Sequence, residues 1–130
     1  MRSDAREAAF KIVFAGLFQE TIEKKFCENI YRNLKLSDDE RAFADALVAK
    51  VNEHKDALLS QLAAQVERFS EQRIFPVDKS IMLVALAEIN YFDDIPPVVS
   101  VSEAAALARK FSTEKSADFV NGVLGGVINQ

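Results

Sequence analysis

The sequence predicts an all-α protein folded as a single-domain helical bundle. Apolar residues recur at spacings of three and four along most of the chain, the period of helices that bury one face. Alternating β-branched runs of strand length are absent, apart from the short Val98-Val99 pair. Helix-start signals punctuate the chain, foremost Ser37, Asp38, Asp39 and Glu40, which read as a capping box. At 130 residues the chain has the length of one domain, enough to bury roughly two-thirds of its unfolded surface. Apolar residues make up 49% of it, ample for a core.

The first helix is expected from about Asp4 to Phe18, with Ala5, Ala8, Ala9, Ile12, Val13, Gly16 and Leu17 on its apolar face. Phe10, Phe14 and Phe18 form a second stripe beside it. A second helix follows Thr21, with Ile22, Phe26, Ile30 and Leu34 as its buried row. From Ser37 a long element keeps Phe43, Leu47, Val51, His54, Leu58 and Leu62 on one side, and the polar run at 52–56 bends or divides it. Past Phe69 the texture turns irregular through Ser70 to Arg73.

Pro76 fits the first turn of the next helix, where its missing N–H costs nothing. The seven apolar residues from Ile81 to Ala87 mark that helix as buried on all sides, the hub of the bundle. The clearest loop lies at 93–97. Ser100 and Glu103 read as a second capping box, opening a helix with Val101, Ala104, Ala105, Ala108 and Phe111 inward. Arg109 and Lys110 suit the last turn of that helix, and Ser116 is the expected N-cap of the final one, with Asp118 in its first turn. Val120, Val123, Leu124, Val127 and Ile128 give the final helix one buried face. Gly122, in mid-helix, marks a close packing contact.

Composition narrows the function. The net charge of −4, from 16 basic and 20 acidic residues, weighs against a stand-alone protein that grips nucleic acid through phosphates. It leaves room for a local basic edge. A single cysteine excludes an intramolecular disulfide and leaves a thiolate metal site short of ligands. No signal peptide and no apolar run of transmembrane length is evident, so a cytoplasmic protein is expected. Catalytic constellations are thin: His54 is the one histidine and lies on an apolar stripe, where it reads as a boundary residue. Cys27 reads as a small buried hydrophobe, and the acids at 38–40 as helix-start residues. The glycines near the C-terminus lack the lysine and strand of a phosphate loop. No enzyme, cofactor or metal is expected.

Binding has more support. Arg2, Arg6 and Lys11 concentrate positive charge near the N-terminus. Phe111 and Phe119 flank a polar loop carrying Ser112 and Lys115. Aromatics beside cations and hydroxyls are what unstacked nucleotides require.

Three segments carry a family resemblance: AREAA at 5–9, VDKSIMLVALAEI at 77–89, and VSEAAALARKFSTEKSADFVNGVL at 101–124. Lys110-Phe111 followed by FVNGVL at 119–124 is the most specific. Together they resemble the NusB family of bacterial transcription antitermination factors. The resemblance implies about seven helices in two packed sub-bundles. It implies binding of boxA RNA from ribosomal-operon leaders, together with the small-subunit ribosomal protein that acts as NusE, in an RNA polymerase antitermination complex. By position it implies RNA contacts from Arg2, Arg6, Lys11, Phe14, Phe111, Ser112 and Lys115, and a partner-facing group of Asp78, Lys79 and Phe119. Two departures from the family stand out: Ser3 and Asp4 stand where relatives often have arginines, and Lys115 replaces an acid common in the loop. On this reading Arg6→Ala and Lys115→Ala weaken boxA binding and leave the fold intact.

Two other classes compete. One is the RNA-recognition module of an RNA cytosine methyltransferase, which requires a longer native protein. The other is a helical interaction scaffold or homodimer built on the small-residue face of the first helix; a homodimer is compatible with the RNA-binding reading as well.

Overall fold

The computed structural model describes residues 2–68 and 74–129, and the irregular stretch expected at 70–73 lies outside them. Seven helices and no strand occur among the described residues: α1 (Arg2–Gly16), α2 (Lys24–Asn33), α3 (Asp38–Glu53), α4 (Lys55–Glu67), α5 (Pro76–Tyr91), α6 (Pro97–Phe111) and α7 (Glu114–Ile128). Helices α1, α2 and α3 pack together, as do α4 to α7, and the α1–α5 and α3–α5 contacts join the two groups. One apolar cluster runs through both, from Ala5 to Leu124.

The hub is α5. Every residue from Ser80 to Glu88 is buried, and α1, α3, α4, α6 and α7 all touch it. Pro76 occupies its first turn as expected. Against it α1 lays a face of alanines, with Ala5, Ala8 and Ala9 wholly buried. Small side chains let the helix axes approach closely, which brings the charged residues of α1 within reach of α5 and α6.

Local chemistry explains most boundaries. Ser37 caps α3 through a complete capping box: its hydroxyl accepts from the Glu40 amide at 3.2 Å, and its own amide donates to the Glu40 carboxylate at 2.9 Å. The long apolar stripe breaks at His54, which ends α3 and begins α4. Its ring stacks on Tyr91, with centroids 4.1 Å apart.

Several expected boundaries and faces moved. Helix α1 starts at Arg2 and ends before the exposed Phe18. In α2 Phe26 is exposed, and Tyr31 is the buried residue, its hydroxyl donating to Asp45. Ser100 and Glu103 form no cap. Pro97 starts α6 four residues earlier, because its fixed φ suits a first helical position. Ser100 is then buried inside the helix, donating to Glu88. Ser116 caps nothing either; Thr113 does, accepting from the Ser116 amide at 2.9 Å, with Glu114 as the first-turn acid. Val120, Val123 and Leu124 are buried in α7, whereas Val127 and Ile128 are half-exposed near its end.

Candidate nucleic-acid interface

Glu7, on α1, organises the exposed edge where α1 meets α6. Its side chain is almost fully buried, yet it accepts hydrogen bonds from Lys11 one turn on at 2.9 Å and from Lys110 at the end of α6 at 2.8 Å. Burial pushes this carboxyl up, but the two lysines outweigh it and hold it below its ordinary value. In return Glu7 raises the Lys110 ammonium above its own ordinary value. One buried anion thus holds two surface cations in place, and the group keeps a net positive charge.

Both lysines lie against Phe111. Their ammonium nitrogens are 5.0 Å (Lys11) and 5.2 Å (Lys110) from its ring centroid, within cation–π range. Phe10 packs on the same ring at 5.2 Å. Phe111 is therefore half-buried and cation-flanked rather than a free stacking plane. Beside it opens an apolar pocket of about 360 Å³ lined by Phe10, Phe14, Phe26, Ile30, Val77 and Phe111, with Lys11 at its wall. Phe14 is half-buried there and packs edge-on against the exposed Phe18 at 5.3 Å. The arrangement joins an aromatic recess to fixed positive charge, the two elements that hold a nucleobase and its phosphate.

Past Phe111 the chain turns from α6 into α7. Ser112 donates to the Ser116 hydroxyl at 2.9 Å. Lys115 is exposed and makes no ion pair or hydrogen bond among the described residues. It projects from the first turn of α7, sequence-adjacent to the recess.

Three expected contact residues do not reach an outer surface in the expected way. Arg6 is buried: its Nε meets Glu88 at 2.7 Å and its Nη1 meets Glu103 at 3.2 Å. Its charge is consumed within the protein, because a guanidinium between two carboxylates and nine-tenths out of water has nothing left to offer a phosphate. Asp78 is also buried, 2% exposed, and accepts from the Ser116 hydroxyl at 2.8 Å, so it faces inward rather than toward a partner. Phe119 is half-buried and packs on the core. Lys79, next to Asp78, is half-exposed. Arg2 is exposed, but its guanidinium lies 4.3 Å from the Phe43 ring, on α3.

Reasoning from sequence missed the pairing of Glu7 with Lys110. The Glu7–Lys11 spacing of four was a legible signal; the Lys110 contact spans 103 positions and depends on packing. Cys27 is half-buried, and burial pushes its thiol up, with Asp45 adding to the effect. No group of three potential metal ligands occurs among the described residues, and none of their helices is long and apolar enough to cross a membrane.

Comparison with known proteins decides the family. The model of the NusB family matches residues 3–129. The chain belongs to the NusB family. It is 38% identical over 127 residues to the transcription antitermination protein NusB of Oceanobacillus iheyensis, covering 98% of each chain. With the protein of the same name from Geobacillus kaustophilus it shares 36% over 126 residues, 97% of this chain and 94% of that one. Among solved structures, T. maritima NusB superposes with a TM-score of 0.83 at 25% identity, over 100% of this chain and 92% of the other. A crystal structure of the antitermination factors NusB and NusE in complex with dsRNA matches with a TM-score of 0.84 at 20% identity, over 98% of this chain and 96% of that chain. At that identity the likeness concerns the fold. The NusB fold, all-α and built on a buried central helix, is the one described above.

Proposed function

We propose that this protein is an RNA-binding transcription antitermination factor. It takes boxA-type leader RNA on the edge formed by Lys11, Lys110, Phe111 and Lys115, with Phe14 and the aromatic recess receiving a base. The observation that carries the reading is the Lys11–Phe111–Lys110 group: two cations preset around an aromatic ring beside an apolar recess. The names of the NusB relatives support it, and so does the NusB–NusE–RNA complex formed by a protein of the same fold. A chain of net charge −4 carries few phosphate contacts of its own, so a basic NusE-like ribosomal protein supplies the rest. The protein acts in the cytoplasm, within the complex on transcribing RNA polymerase, by binding and not by catalysis.

The test is a titration of boxA RNA, with the basic partner present, at several salt concentrations. Lys110→Ala and Lys115→Ala each weaken binding and lower the salt slope by about one. Affinity and slope unchanged in the double variant would remove this edge from the RNA site.

A further inference from the structure

Asp78 is a buried carboxylate with no cationic partner among the described residues. Its Oδ2 accepts from the Ser116 hydroxyl at 2.8 Å, and its Oδ1 is buried without a hydrogen bond. The Ser116 hydroxyl accepts in turn from Ser112 at 2.9 Å, while the Ser116 amide donates to the Thr113 hydroxyl at 2.9 Å. Ser112 and Thr113, which link α6 to α7, and Ser116 in the first turn of α7 thus form one network that ends on Asp78. Burying a polar oxygen without a partner is costly. Asp78 sits in the first turn of α5, and the Ser116 hydroxyl is its one side-chain hydrogen-bond partner among the described residues.

That bond spans 38 positions and ties the turn to the least exposed helix of the molecule. The same turn begins where Phe111 ends α6 and delivers Lys115 in the first turn of α7. We propose that Asp78 is a positioning residue for RNA recognition. Through the Ser116 hydroxyl it anchors the α6–α7 turn, and so sets where Phe111 and Lys115 stand, without itself touching RNA or partner. The proposal rests on the RNA-binding reading above, so its test has one arm that needs no RNA.

In the first arm, amide hydrogen exchange is followed in the full chain for Asp78→Ala, Ser116→Ala and Asp78→Asn. The Ser116 and Ala117 amides exchange about tenfold faster in the two alanine variants, while the amides of mid-α5 hold their rates. Asparagine keeps an acceptor oxygen for Ser116, so Asp78→Asn stays within about twofold of the parent. In the second arm, boxA RNA is titrated with the basic partner present. Asp78→Ala weakens binding by about threefold to tenfold, and adding Lys115→Ala to it costs less than Lys115→Ala does alone, because the two act on one contact.

Wild-type exchange in the turn of Asp78→Ala would overturn the anchor. Fully additive losses from Asp78→Ala and Lys115→Ala would overturn the link to RNA. Weaker binding of the basic partner without RNA, at unchanged exchange in the turn, would make Asp78 a partner contact instead. If the parent binds no RNA while Asp78→Ala loosens the turn, the RNA reading fails and the anchor stands. Should Asp78→Ala not fold, Ser116→Ala and Asp78→Asn carry both arms.

Discussion

Glu7 is an acid at the centre of a basic edge, and its protonation links the edge to stability. Its folded pKa lies below the ordinary carboxylate value because Lys11 and Lys110 outweigh the effect of burial. A depressed folded pKa means that the native state favours the ionised form. The stabilisation is present above the unfolded pKa, about 4.3 for glutamate, and is lost as pH falls through the lower, folded value. Denaturant unfolding of the parent and of Glu7→Gln should therefore show the parent more stable at pH 7. That gap should close as pH drops below about 4. A gap of equal size at pH 7 and at pH 3 would mean that the two lysines do not depend on the charge of Glu7. His54 makes the complementary point: a residue on an apolar stripe became a helix junction stacked on Tyr91, a role its type allowed and its periodicity hid.

At the scale of the element, α2 ends by a route its residues do not announce. The Lys35 amide donates to the Arg32 carbonyl at 3.0 Å and the Leu36 amide to the Tyr31 carbonyl at 3.1 Å, the paired bonds of a Schellman turn. That turn needs a left-handed residue, and Lys35 takes the position with φ of 54°. Glycine pays no Cβ penalty there. Lys35→Gly should raise stability by about 0.5–1 kcal/mol, read as a higher denaturant midpoint at unchanged m-value. A lower midpoint would show that the unfolded-state entropy of glycine outweighs the relieved strain. The capping box at Ser37 was legible because it lies within four residues. The starts of α6 and α7 were misread because serine, threonine and proline all suit a helix start, and the choice among neighbouring candidates depends on which hydroxyl is needed elsewhere. Ser100 and Ser116 are needed by Glu88 and Asp78.

Across the whole molecule, Arg6 is the tie between helices. It joins α1 to Glu88 on α5 and to Glu103 on α6, and Ser3 and Ser100 complete the set by donating to Glu103 and Glu88. Removing the guanidinium strands a carboxylate that is 1% exposed. Arg6→Ala should cost about 3–5 kcal/mol of unfolding free energy, measured by denaturant titration. Any weaker RNA binding in that variant would follow from a loosened fold, so its affinity should be compared at matched folded fraction. A loss below about 1 kcal/mol would place Arg6 among surface pairs instead. The distinction matters for the proposed interface, which draws on Lys11, Lys110 and Lys115 rather than on Arg6, while Arg2 is exposed with its guanidinium against Phe43 of α3.

By itself the sequence determined the all-α class, the buried central helix, the division of the long stripe near His54, and the family, whose most specific segment is the one ending α6 and opening α7. Those features are written in periodicity, capping and local motif, which act over a few residues. It also read a loop carrying Phe111 and Lys115, which the structure narrows to Ser112 and Thr113, with Phe111 ending α6 and Lys115 in the first turn of α7. Only the tertiary structure decided which charges face outward. Arg6 and Lys11 sit five positions apart on the same helix, and nothing in their spacing says that one meets Glu88 and the other solvent. That outcome depends on α1 lying close against α5 and α6, where buried carboxylates compete for the nearest cation.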